Sequence, residues 1–386
     1  MNNSKNYTCL GLIFLVVITS ITTLLLSGFG SLILTGSLGG ISYEDVNFVR
    51  KLLASKNLLE SEYYENITEQ DLIDGAMSGM FAALDDPYTS YLPAETNQQL
   101  MELTEGKYQG IGIYVSINTL NNAVTVISPI KGSPADKAGI LPLDQILSIN
   151  GVECSGEELE EAVALMKCPA GTTVNLVLER DGERLEKEIV TEEIILESID
   201  SENYDGIGYI EITTFSDTTS EEFFKHYEEL RKENITGLVL DLRDNGGGIY
   251  DEALEIAKKL VPKGLIVYTE DKNGKKEEEY SIGEGIDIPI VVLVNEESAS
   301  ASEILAGALK DRGVAKLVGK KTFGKGVVQG WYAIGDGTSV KLTIAKYFTP
   351  NGVCIEGVGI EPDYEVELDS YTNDLQLKKA LELLEE

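Results

Sequence analysis

Two almost uninterrupted apolar runs, Gly237-Leu238-Val239-Leu240-Asp241-Leu242 and Pro289-Ile290-Val291-Val292-Leu293-Val294, constrain this chain more than anything else in it. Side chains alternate across a strand, so a run that is apolar at successive positions belongs to a strand covered on both faces, as in a sheet layered between helices. Gly208-Tyr209-Ile210-Glu211-Ile212 reads as a further strand, and Ile256-Ala257-Lys258-Lys259-Leu260-Val261 closes a helix between the two runs. Strands leading into helices predict an α/β core over residues 196–386. The first run enters Asp244-Asn245-Gly246-Gly247-Gly248, which is either a plain tight turn or one that presents backbone N–H groups. The second delivers Ser298-Ala299-Ser300-Ala301-Ser302-Glu303 at its carboxyl end, where sites in such sheets gather.

That serine-rich hexapeptide has two readings. Structurally it starts a helix, with Ser298 or Ser300 as N-cap and Glu303 as the capping-box partner of Ser300. Chemically it offers Ser300 as a nucleophile, with Lys325 of Gly324-Lys325-Gly326-Val327-Val328-Gln329 as its base. The two are compatible, because backbone N–H groups converge at a helix N-terminus, where an oxyanion would form. The chain has a single histidine, His226 in Phe223-Phe224-Lys225-His226-Tyr227, which reads as a surface-helix residue and otherwise as a rival base. A lysine base must be uncharged, so its pKa has to fall from about 10.4 toward about 7–8 through burial. Lys325 suits this, standing between two glycines and ahead of an apolar pair, whereas Lys320-Lys321 reads as a solvated pair. Gln329 lies four residues on; if Val327-Val328 open a helical turn, its amide shares a side with Lys325 and can fix the amine.

At 386 residues the chain has room for two or three domains. The stretch from Cys9 to Leu34 is almost wholly apolar, and Lys5 is the sole charge before Glu44. This exceeds a signal-peptide core and reaches the roughly 20 residues that span a bilayer. We therefore expect a cytoplasmic stub and transmembrane anchor over 1–41, with cleavage near Ser27-Gly28-Phe29-Gly30-Ser31 as the alternative. Lys5 ahead of the span predicts the bulk of the chain outside the cell membrane, as a single-pass protein. All 65 acidic residues follow the anchor and the net charge is −34, which argues against nucleic acid and anionic headgroups as main ligands. Cys9, Cys154, Cys168 and Cys354 lack metal-ligand spacing, so no metal site is expected; Cys154 and Cys168 are either a pair or, the preferred reading, plain buried thiols.

Residues 42–98 read as a helical N-terminal domain, with apolar spacing from Glu44 to Leu53 and a second helix after Thr68 that stops at Asp85-Asp86-Pro87-Tyr88. A cap or dimer element is the plain expectation there. Over residues 99–195 strands, a short helix and tight turns alternate. The combination Gly110-Ile111-Gly112, Ser133-Pro134-Ala135-Asp136-Lys137-Ala138-Gly139 and Asp144-Gln145-Ile146-Leu147-Ser148-Ile149-Asn150-Gly151 resembles a permuted PDZ domain. That resemblance implies strand addition of an extended peptide, with the backbone of Gly110, Ile111 and Gly112 holding its terminal carboxylate.

The segments 237–248, 295–311, 319–329, Tyr347-Phe348-Thr349-Pro350-Asn351-Gly352 and 357–363, with Leu84-Asp85-Asp86-Pro87-Tyr88 ahead and a closing helix at 375–384, resemble in order the C-terminal processing peptidases. The resemblance covers nearly everything after the anchor. It implies a serine endopeptidase that takes substrates by their C-termini and needs no metal or organic cofactor. In it Ser300 matches the nucleophile, Lys325 the base, Gln329 the residue orienting the lysine, and the N–H groups of Gly246 and Ala301 the oxyanion hole. Homo-oligomers and gating by the PDZ domain are further implications. One departure is Lys167 in Leu165-Met166-Lys167-Cys168-Pro169, where the family pattern has arginine; lysine keeps the charge and loses the bidentate fork, which bears on gating. The rival to an enzyme is an inert, membrane-anchored PDZ receptor.

Overall fold

The computed structural model describes residues 37–38, 41–118, 121–368 and 373–385. Of the stub and anchor expected over 1–41, the apolar stretch from Cys9 to Leu34 lies outside them; among the described residues no helix is long and apolar enough to cross a membrane. The chain divides into two compact units, Met1–Ala83 and Leu84–Glu386.

The first unit holds α1 (Tyr43–Glu62) and α2 (Glu69–Ala82). Each opens with a capping box: Ser42 with Asp45, and Thr68 with Asp71, each pair exchanging backbone-to-side-chain hydrogen bonds of 2.8–3.1 Å. Phe48, Val49, Leu52 and Leu53 on α1 and Ile73 and Met80 on α2 are exposed.

The second unit begins with β1 (Ser90–Leu92) and α3 (Ala94–Glu105). Next come β2 (Lys107–Gly110), β3 (Ile113–Asn118), β4 (Ala123–Pro129), the short α4 (Pro134–Lys137), β5 (Gln145–Ile149), α5 (Leu159–Met166), β6 (Thr173–Arg180), β7 (Glu183–Val190) and β8 (Glu192–Ile195). An antiparallel sheet runs β7-β6-β5-β4-β3, and β8 pairs with β2. Val124, Val126, Ile146, Leu176 and Leu178 fill its core with Ala162 and Met166 of α5. Fully buried Asp144 is neutralised there by Arg180 at 2.6 and 2.7 Å. The order and core are those of the expected PDZ fold.

The peptidase body comprises β9 (Ile199–Tyr204), β10 (Ile207–Ile212), α6 (Thr219–Lys232), β11 (Gly237–Asp241), α7 (Tyr250–Leu260), β12 (Gly264–Asp271), β13 (Lys276–Ser281), β14 (Ile290–Val294), α8 (Ala301–Asp311), β15 (Ala315–Gly319), β16 (Val327–Gly335), β17 (Thr338–Phe348), β18 (Tyr364–Glu365) and α9 (Leu375–Glu385). Six strands run β9-β10-β11-β14-β15-β18, parallel except for β9. The continuous apolar runs are explained by two covers. Leu238, Leu240, Ile290 and Val292 pack with α6, α7 and α8, while Val239, Val291 and Leu293 face Ala380 and its neighbours on α9. Each such fully buried side chain contributes about 1.5–3 kcal/mol. A second, antiparallel sheet runs β13-β12-β17-β16, and β1 adds to β17 with Ser90 opposite Lys341. The chain between α2 and α3 thus contributes a strand to the peptidase body.

An ionic cluster fastens α9 to the carboxyl end of β11. Buried Asp241 accepts from Arg243 at 2.5–3.0 Å and from the Tyr209 hydroxyl at 2.8 Å, and Arg243 reaches Asp374 at 2.8 Å and Gln376 at 3.0 Å. Removing one partner of a buried pair leaves the other charge uncompensated, at about 3–5 kcal/mol. Arg243→Ala should therefore lower the unfolding free energy extrapolated from urea denaturation by an amount in that range, whereas a loss below about 1 kcal/mol would mean the pair behaves as an exposed one.

Candidate active site

The ends of β11 and β14 lie side by side, and the turns that follow them are bound together. Asp244 N–H donates to Asn295 Oδ1 at 2.9 Å, and the Asn295 amide donates to Asp244 Oδ1 at 2.7 Å. Ser298 Oγ donates to the Leu242 carbonyl at 2.7 Å, and Ser302 Oγ and Ala299 N–H both donate to the Asn245 carbonyl, at 2.9 and 3.0 Å. Ser298 and Ser302 are fully buried and their hydroxyls are used in these bonds, so of the three serines Ser300 is the one left partly open.

Ser300 is the N-cap of α8, at φ 56°, ψ −114°. A side chain at such φ carries about 1–3 kcal/mol of strain and persists only where its surroundings impose it. Gly247 packs directly against this turn: a Cβ there would stand 2.8 Å from both Ser300 Cβ and the Ala299 carbonyl oxygen, and its own φ is 102°. Gly248, at φ 143°, is pressed against the Phe215 carbonyl, where a Cβ would lie 2.1 Å away. Gly246 borders open space, and neither its N–H nor that of Ala301 finds an acceptor among the described residues.

Lys325 lies on the loop between β15 and β16. A fully buried carboxylate, Glu303, joins that loop to the serine turn. It accepts from Ser300 N–H at 3.0 Å, Lys325 N–H at 2.9 Å, Gly324 N–H at 2.8 Å and the Thr322 hydroxyl at 2.5 Å. Burial pushes the Glu303 carboxyl above the usual range, opposed by these four bonds. The buried Tyr347 phenol adds a second tie, bridging the carbonyls of Ser300 and Lys325. The Lys325 ammonium lies over the Tyr88 ring, 5.2 Å from its centroid, and no carboxylate comes within ion-pair distance among the described residues. Burial lowers its pKa below the ordinary lysine range and nearby Lys341 adds to the effect, against the partial opposition of Glu356 and Glu303. Ser300 Oγ and Lys325 Nζ are not hydrogen-bonded to each other in this state, and such contacts often form only with substrate.

Gln329 departs from the expected geometry. Val327 and Val328 open strand β16, not a helical turn, because two β-branched residues pair there with Lys346 and Ala345 of β17. The register shifts between Val328 and Gln329, and the Gln329 amide donates to the Val327 carbonyl at 3.2 Å instead of meeting Lys325. Lys320 and Lys321 are ion-paired with Glu365 and Glu361, at 3.0 Å each. His226 sits on α6 with Nδ1 2.7 Å from Ser201 Oγ, and its partners include none of the serine turn.

In the PDZ domain Ile111 is buried in the core, which leaves only its backbone for a ligand, and Gly112, at φ 78°, is packed against Ser133. Lys167 caps α5, pairs with Glu102 of α3 at 2.8 Å and lies 4.9 Å over the Tyr108 ring. It lines a cleft of about 800 Å³ between α3 and the α5–β2 side of the PDZ domain. Cys154, Cys168 and Cys354 are free and half-buried.

Tyr88, Tyr347, Glu356 and Lys341 were not singled out from the sequence, and Glu303 was read only as a cap partner. The signal for two of them was present, since Tyr88 ends Leu84-Asp85-Asp86-Pro87-Tyr88 and Tyr347 begins Tyr347-Phe348-Thr349-Pro350.

A parallel sheet carrying a strained serine, whose turn is tied to the loop of a half-buried lysine with no ion-pair partner among the described residues, and a PDZ fold ahead of it define a peptidase-like body. Comparisons agree: peptidase family S41 matches residues 206–366, a PDZ domain 125–180, and the N-terminal domain of the activating protease CtpB 40–96. The chain is 38% identical over 372 residues to the carboxy-terminal processing protease CtpA of Bacillus subtilis, covering 94% of this chain and 78% of that protein. It is 39% identical over 324 residues to the carboxyl-terminal-processing protease of Synechocystis, covering 80% and 76%. The solved photosystem II D1 C-terminal processing protease superposes with a TM-score of 0.50 at 29% identity, covering 86% of this chain and 90% of that one. The chain therefore belongs to the carboxy-terminal processing protease family, within peptidase family S41.

An ammonium held below its ordinary pKa destabilises the fold wherever lysine is charged in the unfolded chain. Above about 10.4 the amine is neutral in both states and that penalty disappears. Lys325→Met should accordingly raise Tm relative to wild type most at about pH 6, with the gain shrinking as pH rises toward that upper limit. A gain independent of pH would attribute the effect to packing alone.

Proposed function

We propose that this protein is a serine endopeptidase that recognises protein C-termini through its PDZ domain and cleaves exported or membrane-associated proteins with a Ser300–Lys325 dyad. The observation that carries the proposal is a half-buried lysine with no counter-ion among the described residues, set over Tyr88, whose backbone is tied to that of a strained serine by one carboxylate. In the proposed reaction the neutral Lys325 amine takes the Ser300 proton as Oγ attacks the scissile carbonyl carbon. The C–N bond then breaks as the Lys325 ammonium returns that proton to the leaving amine. Water, deprotonated by the same amine, releases the acyl group and restores the serine. Gly246 and Ala301 N–H groups receive the oxyanion, each contributing about 2.7–4 kcal/mol. Gln329 steadies the amine once a substrate draws it from the Val327 carbonyl.

The backbone of Gly110, Ile111 and Gly112 receives the substrate carboxylate, and Lys167, joining α5 to α3, relays peptide binding toward the peptidase body. The apolar N-terminal stretch anchors the protein in the cell membrane with its catalytic part outside. The exposed apolar faces of α1 and α2 suit a second copy of the chain or an activating partner.

Ser300→Ala and Lys325→Ala should each abolish covalent labelling by a fluorophosphonate and cleavage of an unfolded reporter, with the fold retained. Normal cleavage by Lys325→Ala would exclude the dyad, and absence of any adduct in the wild type would favour the inert PDZ receptor. Amidating the C-terminus of a peptide substrate should raise KM by about tenfold or more, the scale of a lost charge-assisted hydrogen bond, with little change in kcat.

A further inference from the structure

The site contains a second lysine that the proposed chemistry does not use. Lys341 is half-buried on β17, directly opposite Ser90 of β1 and beside Trp331 of β16. Ser90 is two residues beyond Tyr88, whose ring carries the Lys325 ammonium. The β1 edge is held in place there by the Thr343 N–H, which donates to Thr89 Oγ1 at 3.0 Å, and by Thr89 Oγ1, which donates to Asp86 at 2.6 Å. Trp331 is fixed in turn by donation to Asn97 at 3.0 Å. Among the described residues no carboxylate pairs with Lys341. A buried cation with no partner costs free energy, and a fold keeps such a group where it acts.

We propose that Lys341 is a positioning residue of the active site, whose uncompensated positive charge opposes a second charge on Lys325 and so keeps that amine free to accept the Ser300 proton. The inference rests on the dyad reading above. The groups facing Lys325 are Tyr88 from the chain before β1, Lys341 and Tyr347 from β17, Glu303 from α8 and Glu356 from the loop after β17. The two carboxylates favour the ammonium, but both are engaged by donors: Glu303 by four, and Glu356 by Gly326 N–H at 2.7 Å. Lys341 is then the nearby charge that favours the free amine. Burial disfavours its own ammonium as well.

The test is the rate at which a fluorophosphonate labels Ser300 in the full chain, measured from about pH 6 to about pH 10 in the wild type, Lys341→Met, Lys341→Arg and Lys325→Ala. The proposal expects Lys341→Met to displace the rise with pH upward, so that labelling at about pH 7 falls about three- to tenfold and converges on the wild type at the alkaline end, while Lys341→Arg keeps the wild-type midpoint. Circular dichroism across the same pH range keeps a pH-dependent folded fraction from passing as a shifted midpoint. A Lys341→Met profile that superimposes on the wild type, or falls by one factor at every pH, overturns the proposal. If Lys325→Ala labels as fast as wild type, the dyad itself fails, and that outcome is distinct from an inactive Lys325→Ala beside an unshifted Lys341→Met.

Discussion

One carboxylate organises this site. Glu303 is fully buried and accepts four hydrogen bonds, from both sides of the gap between the serine turn and the lysine loop. Without it, the two buried donors, the Thr322 hydroxyl and Gly324 N–H, would be left unpaired at about 1–3 kcal/mol each, and the Ser300 and Lys325 N–H groups would lose their acceptor, so the two loops have strong reason to keep their places. Its position on α8, one turn after Ser300, means that the helix start fixes the serine and reaches for the lysine loop in the same residue. The capping role and the assembling role are one interaction.

The parallel sheet supplies the rigidity this requires. β11 and β14 are covered on both faces, and their adjacent carboxyl ends release the two turns that Asn245, Asn295, Ser298 and Ser302 bind together. Ser300 can then be held at positive φ, because the turn that opposes it, through Gly247, cannot retreat. Strain at the nucleophile and an unneutralised ammonium beside it both subtract from stability, and the bonded turns and double-covered core offset them.

What was legible in the sequence was whatever lies in local order. The apolar runs predicted buried strands because both faces are covered, and Ser-Ala-Ser-Ala-Ser-Glu predicted a helix start because a cap and its partner are three residues apart. The helical turn on which Gln329 would share a side with Lys325 does not form, because Val327 and Val328 pair with β17, a contact across sequence that makes them a strand. Lys341 and Glu356 carry no local mark at all. A lysine in an alternating strand reads as a solvated residue until the strand opposite is known, and here that strand is β1, about 250 residues earlier in the chain.

Should the PDZ domain bind peptides as proposed, β1 and α3 offer a physical route from it to the site. β1 leads through Pro93 into α3, whose Glu102 holds Lys167 at the end of α5, so one short segment touches the lysine site at its beginning and the PDZ cleft at its end. Tyr88 stands over Lys325, and Asn97 of α3 accepts from Trp331 beside Lys341. A peptide entering the cleft and displacing Glu102 from Lys167 would act on the same helix that fixes Trp331. Coupling between the two sites would then travel through a shift of α3 and β1 relative to β17, with no need for the peptidase sheet itself to deform.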